Sequence, residues 1–209
     1  MTELILVRHG ETEWNATHRA QGQADIPLNE AGRRQAERVA EELSHRRVAA
    51  VYSSDLGRAL DTARAIATAL DLPVEVDPDL REIDQGEWEG LETAAIGERW
   101  PELWGEARHY SRRPGGESPG EVRARCMQAL HRIVAAHPDD PVVVVTHGGP
   151  IRWLSAEAAG LDDRGSARLR GVGNGGWVTL NATLDGARVV LGDLRRSDGR
   201  VTEVDDINA

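Results

Sequence analysis

Residues 4–12 have the sequence LILVRHGET, and the fold class follows from this stretch. Residues 4–7 form a short, unbroken aliphatic run, which is typical of a parallel strand buried on both faces. We therefore predict the first strand at residues 3–7. Arg8 and His9 come directly after it, and Gly10 then lets its backbone N–H approach an anion closely. Because ligands of parallel α/β sheets bind beyond the carboxyl ends of the strands, Arg8 and His9 are the first candidates for a site.

Strands and helices alternate along the rest of the chain. Apolar residues spaced i, i+3, i+4, i+7 indicate amphipathic helices, and short apolar runs indicate strands. The further predicted strands lie at 48–52, 73–76, 141–146, 177–182 and 187–194, and the predicted helices at about 29–47, 55–70, 119–137 and 151–159. Asn29 and Asp55 are the predicted N-caps of the first two helices. This order predicts an α/β fold, a three-layer α/β/α sandwich with a mostly parallel central sheet.

One excursion interrupts the alternation. Residues 84–117 contain six glycines, three tryptophans and two prolines, which favours short helices outside the regular pattern, as in a helical lid. Residues 195–209 form a polar tail that is predicted to be irregular. A chain of 209 residues has the length of one domain, so we predict a single domain over residues 1–209.

Composition argues against several classes of protein. The formal net charge is −10 and no basic stripe is present, which disfavours a nucleic-acid partner. The apolar runs are much shorter than the ~20 residues that a helix needs to cross a membrane. Cys126 is the only cysteine, which leaves no internal disulfide and makes a cytoplasmic location the default expectation. No HExxH motif or paired Cys/His spacing predicts a zinc site.

Chemistry-bearing residues follow several predicted strands. Arg8 and His9 follow the first, residues 53–58 the second, residues 81–82 the third, and residues 147–149 the strand at 141–146. Arginine presents a planar fork that fits phosphate oxygens, and glycines let backbone N–H groups approach an anion. A neutral histidine is a competent nucleophile, and a nearby carboxylic acid can protonate a leaving oxygen. The set is suited to phosphoryl transfer, which needs mainly positioning and charge neutralisation.

The segments that follow the predicted strands resemble those of a known family. Residues 6–12 are similar to the signature of the histidine phosphatase superfamily, also called the phosphoglycerate mutase-like family. Further blocks resemble the family in the same order, at residues 21–36, 53–63, 81–90, 115–118 and 145–149. The resemblance spans roughly residues 4–180, and several blocks in the correct order make it specific.

The resemblance implies a role for each matching position. His9 would attack phosphorus and carry the phosphoryl group, and Glu82 would be the general acid and then the base for water. The remaining implied contacts to the phosphoryl group come from Arg8, Arg58, His147, Asn15 and the backbone N–H of Gly148, with Gln21 and Gly22 lining the pocket mouth. The resemblance implies no metal and no other cofactor. It implies a small phosphorylated metabolite as partner, and family members are often dimers, which leaves a homodimer open.

Three functions remain open within the family. A phosphatase passes the phosphoryl group to water, a phosphoglycerate mutase is an isomerase that passes it to a second acceptor, and a noncatalytic member only binds a phosphometabolite. Typical mutases carry a Tyr and a Lys after the acid–base segment, whereas this chain has Trp88 there and no lysine from residue 48 onward. This favours a metal-independent phosphatase of small phosphomonoesters. Arg112 and Arg113, with Arg108 nearby, could bind a substrate carboxylate or second phosphate, as an Arg pair does in mutases, or they could lie on a solvated loop.

Several other residues that could suggest a functional site are predicted to have structural or surface roles. Gly171, Gly173 and Gly176 match GxGxxG, but a strand rather than a helix follows them, so we interpret them as a glycine-rich loop. Asn174 within this loop either makes a turn, which is favoured, or touches the pocket. Cys126 lies on an apolar helix face and is predicted to be a core residue. The histidines predicted to lie at the surface are His18, His45, His109, His131 and His137.

Overall fold

A six-stranded mixed sheet forms the centre of the computed structural model, which describes residues 1–196. The strands are β1 Thr2–Arg8, β2 Ala50–Ser53, β3 Val74–Val76, β4 Val142–Thr146, β5 Trp177–Asp185 and β6 Arg188–Arg196, in the spatial order β3-β2-β4-β1-β5-β6. The first four strands are parallel to one another, and β5 and β6 add an antiparallel edge. The predicted mostly parallel α/β sheet is confirmed.

The helices are α1 Glu13–Ala16, α2 Glu30–Leu43, α3 Gly57–Leu70, α4 Thr93–Arg99, α5 Pro119–Ala136 and α6 Gly148–Ala158. Of these, α2 and α3 cover one face of the sheet, and α5 and α6 cover the other. Leu4 and Leu6 of β1 pack on one face in a cluster with residues of α5 and α6, while Ile5 and Val7 pack on the other with residues of α2 and α3. Successive side chains of a strand point to opposite faces, so the aliphatic run at residues 4–7 supplies both cores. Within residues 1–196, no helix combines the length and apolarity needed to span a membrane.

Strand register brings the predicted site segments to one edge. Arg8 at the end of β1 pairs with Thr146 at the end of β4, and Ser53 at the end of β2 pairs with Val145. The His9 N–H then donates to the Thr146 carbonyl at 3.1 Å, and the Ser54 N–H donates to the Val145 carbonyl at 3.0 Å. The residues that follow β1, β2 and β4 therefore meet at the carboxyl edge of the parallel strands.

The excursion at residues 84–117 lies beside this edge as short helices. It contains α4 and two 3-10 turns at Gly86–Trp88 and Gly105–His109. The indole of Trp88 is buried, with the rings of Trp104 and Trp100 at centroid distances of 5.6 and 6.1 Å. These aromatic contacts hold the short helices together where hydrophobic periodicity is absent.

Two local predictions are wrong. Leu56, not Asp55, is the N-cap residue of α3, and Asp55 instead forms a two-pronged ion pair with Arg81 while Asp25 accepts from the Gly57 N–H at 2.7 Å. Residues 195 and 196 are not irregular, because pairing with β5 extends β6 as far as Arg196. The rest of the predicted polar tail lies outside the described residues.

Candidate active site

His9 is buried at the carboxyl edge of the sheet with only 3% of its surface exposed. Its Nδ1 lies 2.6 Å from the Gly10 carbonyl oxygen. A carbonyl oxygen can only accept, so Nδ1 carries the hydrogen and donates it. In the neutral ring Nε2 is then unprotonated, and its lone pair is free to act as a nucleophile.

Two buried arginines flank this imidazole. Arg58 in α3 is fully buried, and its two terminal nitrogens donate to the carbonyl oxygens of Ala24 and Gly22 at 2.7 Å each. Arg8 donates from Nη1 to the Val172 carbonyl, also at 2.7 Å. The Nε atoms of both guanidinium groups are buried without a partner among the described residues. Backbone oxygens therefore fix the two forks, and one N–H of each remains for a ligand.

His147 completes the same cluster. It is fully buried as the N-cap residue of α6, and its ring centroid lies 5.1 Å from that of His9. Its Nε2 lies 2.9 Å from the Ser54 hydroxyl, while its Nδ1 is buried and has no partner among residues 1–196. Buried polar atoms are rarely left unpaired. The three unpaired nitrogens around the His9 ring, Arg8 Nε, Arg58 Nε and His147 Nδ1, therefore indicate an anion site.

The electrostatics keep both histidines neutral. Burial, assisted by the positive charges of Arg58 and Arg8, holds the pKa of His9 well below its usual range. Burial also lowers the pKa of His147, where Arg58 is the largest charged contributor. The arginines stay charged because a guanidinium group starts with a pKa above ~12. Attack on a phosphate anion requires a neutral nucleophile and fixed positive charges, and this cluster provides both.

These low histidine pKa values predict acid-sensitive stability. Below about pH 6.5 the unfolded histidines take up protons and the buried ones do not. The unfolded state then binds more protons, so the contribution to stability is full above the unfolded pKa and is lost as the pH falls. Between about pH 7.5 and 5.5 we expect a loss of about 1.4 kcal/mol for each of His9 and His147. Urea unfolding at both pH values measures it, and an unchanged free energy of unfolding would contradict the assignment.

Glu82 lies at the entrance to this cluster. Its Oε1 accepts from the Ile83 N–H at 2.9 Å, and its Oε2 accepts from the Gly149 N–H at 3.2 Å, at the N-terminus of α6. Gly148, at the start of the same helix, packs against Arg8, since a Cβ on Gly148 would lie 3.5 Å from Arg8 Nε. The carboxylate is thus held next to the anion-binding groups by backbone donors.

Gly149→Ala tests this arrangement. A Cβ at this position would lie 2.3 Å from Glu82 Oε1 and 2.6 Å from the Trp153 ring, so the carboxylate has to move. A displacement of about 1 Å in a catalytic group costs up to ~10²-fold in rate, and we expect a fall in kcat of that order. Gly192→Ala is the matched control, because nothing lies within 4 Å of its Cβ. Equal kcat values for the two variants would place Glu82 outside the chemistry.

Two asparagines, Asn174 and Asn15, form hydrogen bonds beside His9. The Nδ2 atom of Asn174 donates to the His9 carbonyl oxygen and to Asn15 Oδ1, at 3.1 Å each. Asn15 also accepts from the Thr12 N–H, which leaves its own amide N–H groups available to a ligand. Asn174 is therefore a positioning residue, and the predicted simple turn role misses this contact. The only sequence signal for it is the glycine-rich loop before a strand that pairs with β1.

A cavity of about 340 Å³ opens beside the anion site. Its charged lining consists of Arg8, Arg108, Arg113 and Arg152 against a single carboxylate, Glu82. Arg113 is 5% exposed, stacks 4.8 Å above the Trp88 ring, and donates to Gln85 and the Ser111 carbonyl. Burial lowers the pKa of Arg113 to about 10 and also lowers that of Arg108. This wall of the cavity is strongly cationic and favours an anion.

The remaining predicted residues divide between this site and the surface. Arg112 lies outside the cavity lining, is exposed, and pairs with Glu121 and the Gly116 carbonyl, so the structure separates it from Arg113. Gly22 contributes its carbonyl to Arg58 rather than a donor to the pocket. Gln21 is 8% exposed and does not line the cavity. His109 is predicted at the surface and instead lines the cavity, where burial and neighbouring arginines lower its pKa to about 3.

This geometry defines an α/β protein with a buried anion-binding site around a neutral histidine, and comparison with known proteins gives its family. Residues 4–193 match the model of the histidine phosphatase superfamily, branch 1, and the chain belongs to that family. It is 39% identical over 206 residues to a glucosyl-3-phosphoglycerate phosphatase of Mycolicibacterium vanbaalenii, covering 92% of this chain and 90% of that protein.

Two further similarities favour a phosphatase. The chain is 44% identical over 160 residues to a metal-independent phosphoserine phosphatase of Arabidopsis thaliana, covering 74% of this chain and 67% of that protein. It is similar to the structure of mycobacterial glucosyl-3-phosphoglycerate phosphatase with VO3, with a TM-score of 0.84, 37% identity, and coverage of 93% and 97% of the two chains. Probable phosphoglycerate mutases are also among the relatives. The protein is a histidine phosphatase, and the mutase alternative has less support.

Proposed function

We propose that this phosphatase hydrolyses small phosphomonoesters that carry a second anionic group, without a metal. The observation that carries the proposal is the set of three buried, unpartnered nitrogens around His9: Arg8 Nε, Arg58 Nε and His147 Nδ1. Together with the Gly148 N–H they match the donors that a phosphoryl group needs, so a metal is not required to neutralise its charge.

The first half-reaction forms a phosphohistidine. His9 Nε2 attacks phosphorus, an N–P bond forms, and the bond from phosphorus to the ester oxygen breaks. Glu82, in its carboxylic acid form, gives its proton to the departing oxygen. Arg8, Arg58 and His147 hold the phosphoryl oxygens while charge moves from the substrate to the leaving group.

The second half-reaction returns the enzyme to its starting state. Glu82, now a carboxylate, removes a proton from water, and the water oxygen attacks phosphorus. The N–P bond breaks, phosphate forms, and the His9 imidazole is again neutral. The low pKa of His9 makes the neutral ring a good resting state over a wide pH range.

The second anionic group of the substrate is assigned to Arg108 and Arg113. Arg108 stacks 4.9 Å above the Trp104 ring and has no hydrogen bond or ion pair among the described residues. Arg113 has a second terminal nitrogen, Nη2, that is likewise without a partner in residues 1–196. A carboxylate is the simplest group for this wall, as in the phosphoglycerate part of the substrate that names the mycobacterial relatives. Among the described residues that line the cavity, Glu82 is the one carboxylate with which an ammonium group could pair, which disfavours phosphoserine.

The test is a substrate panel assayed with EDTA, scoring both phosphate release and phosphoglycerate isomerisation. We expect 3-phosphoglycerate and its glycosylated form to exceed glycerol 3-phosphate, which lacks the carboxylate, by ~10-fold or more in kcat/KM. Phosphate release with little isomerisation supports the phosphatase. Isomerisation faster than release, or activity that EDTA abolishes, would overturn the proposal.

Arg108→Met tests the assignment of the second anionic group. We expect kcat/KM for 3-phosphoglycerate to fall by ~10 to 10²-fold, because a charge-assisted contact is lost. The loss for glycerol 3-phosphate is expected to be much smaller. Arg112→Met is the control, since that side chain is exposed and paired with Glu121. Equal losses for both substrates would show that Arg108 does not bind the second anionic group.

A cytoplasmic location and a homodimer stay predictions.

A further inference from the structure

Arg125 in α5 uses every hydrogen-bond donor of its guanidinium group. The Nε atom donates to Glu117 Oε1 at 3.0 Å, and Nη1 donates to the carbonyl oxygens of Asp79 and Arg81 at 2.8 and 2.7 Å. The Nη2 atom donates to the Glu82 carbonyl and to Glu117 Oε2, at 2.9 Å each. A guanidinium group has five N–H donors, and all five are engaged.

These bonds converge on the backbone that carries Glu82. Three of the acceptors are carbonyl oxygens within residues 79–82, including that of Glu82 itself. On the other side of Glu82, the Asp84 N–H donates to Glu117 Oε2 at 2.9 Å, and the Glu117 N–H donates back to the Asp84 carbonyl at 3.0 Å. Arg125 and Glu117 thus hold the main chain both before and after the position of Glu82.

The Glu82 carboxylate lacks side-chain support of its own. Its oxygens accept only from the backbone N–H groups of Ile83 and Gly149, among the hydrogen bonds of the described residues. The direction of the carboxylate therefore depends on where the backbone of residues 81–83 lies. A group within ~0.5 Å of its productive position has to be held by neighbours that are themselves fixed.

We propose that Arg125, with Glu117, is a positioning residue for Glu82 in proton transfer. The inference rests on the proposed role of Glu82 as general acid and base. Arg125 is not among the residues that line the cavity, and its hydrogen bonds go to Glu117 and to the backbone of residues 79–82 rather than to Arg8, Arg58 or His147. We therefore expect it to affect the geometry of proton transfer rather than phosphate affinity. Lysine does not replace it, because one ammonium cannot bond five divergent acceptors.

The experiment compares two substrates that differ in leaving group. An alkyl phosphate such as glycerol 3-phosphate needs a proton from Glu82, and p-nitrophenyl phosphate has a good leaving group that needs it far less. For Arg125→Met we expect kcat on the alkyl phosphate to fall by ~10 to 10²-fold, with a much smaller fall on p-nitrophenyl phosphate. The inhibition constant of inorganic phosphate is expected to stay within about twofold of that of the unchanged protein.

Two further variants keep the test decisive. Arg123→Met is the control, because Arg123 lies on the same helix and pairs with Glu157 and Asp163, which are outside residues 79–84. If Arg125→Met does not fold, Arg125→Lys and Glu117→Gln give the same comparison with smaller structural change. Each is expected to show the leaving-group-dependent loss, which Arg123→Met is expected to lack.

The outcomes separate this inference from the function on which it rests. Equal losses on the two substrates, a matching rise in the phosphate inhibition constant, or no loss at all would overturn the positioning role. If Glu82→Gln shows the leaving-group dependence and the Arg125 variants do not, only this inference fails. If the unchanged protein hydrolyses no phosphomonoester, the proposed function fails and this inference fails with it.

Discussion

His9→Ala is expected to lower kcat by at least ~10⁴-fold on every phosphomonoester, the largest effect of any single substitution. The substitution removes Nε2, the only unprotonated nitrogen that the Gly10 contact leaves in position to attack phosphorus. Arg8, Arg58 and His147 remain, so phosphate binding is expected to persist while turnover stops. Steady-state kinetics and isothermal titration with phosphate measure the two properties on the same preparation.

His45→Ala provides the control for this substitution. His45 is exposed in the turn after α2, and the adjacent Arg46 pairs with Glu3 near the start of β1, at the opposite end of the strand from His9. Its loss is therefore expected to leave kcat unchanged. Rapid quenching of the unchanged protein is expected to trap one phosphoryl group that is stable to base and released by acid, as a phosphoramidate is. Residual turnover of His9→Ala within tenfold of normal, about 1.4 kcal/mol in the barrier, would place the nucleophile on another residue.

Glu82→Gln is expected to produce the second-largest loss, ~10² to 10⁴-fold in kcat on alkyl phosphates. Glutamine keeps the size of the side chain, and its single amide oxygen can accept from one of the two N–H groups, that of Ile83 or that of Gly149, but it has no acidic proton to give. The loss is expected to be smaller on p-nitrophenyl phosphate for the first half-reaction. Pre-steady-state kinetics on that substrate should then show a burst, because the base for water is also missing and the phosphohistidine accumulates.

A neighbouring carboxylate tests whether this effect is specific. Glu87 is exposed, and its carboxylate lies 3.6 Å from Arg99 rather than in the cavity lining. Glu87→Gln is therefore expected to keep the kcat of the unchanged protein on both substrates. A uniform loss for Glu82→Gln across leaving groups would assign Glu82 to binding instead of proton transfer.

The sequence predicts which residues form this site better than it predicts the hydrogen bonds and ion pairs between them. Arg8, His9 and His147 follow buried apolar strands, and such strands leave a periodic signal because burial depends on local spacing. Asp55 shows where local rules fail. It has the residue type of an N-cap, but the ion pair with Arg81 competes for its carboxylate and Asp25 supplies the acceptor for the Gly57 N–H.

Arg112 and Arg113 show the limit of sequence reasoning most clearly. They are adjacent and chemically identical, yet one is exposed and paired with Glu121 while the other is buried on Trp88 in the cavity wall. The segment between α4 and α5 has only short 3-10 structure and no apolar periodicity, so nothing local marks which side chain points inward. His109 was misplaced for the same reason.

The sequence by itself determined the α/β class, the family blocks and the residue types that can bind and attack phosphorus, since strand burial and strand-end chemistry are encoded over a few neighbouring residues. Only the tertiary structure decided which of these residues meet. The register of β1 against β4 places His9 next to Thr146. Asn174, 165 residues further along the chain, donates to the His9 carbonyl. Arg125 donates to backbone carbonyls within residues 79–82. Such contacts depend on the packing of the whole chain, which fixes the distances between segments that no local spacing specifies.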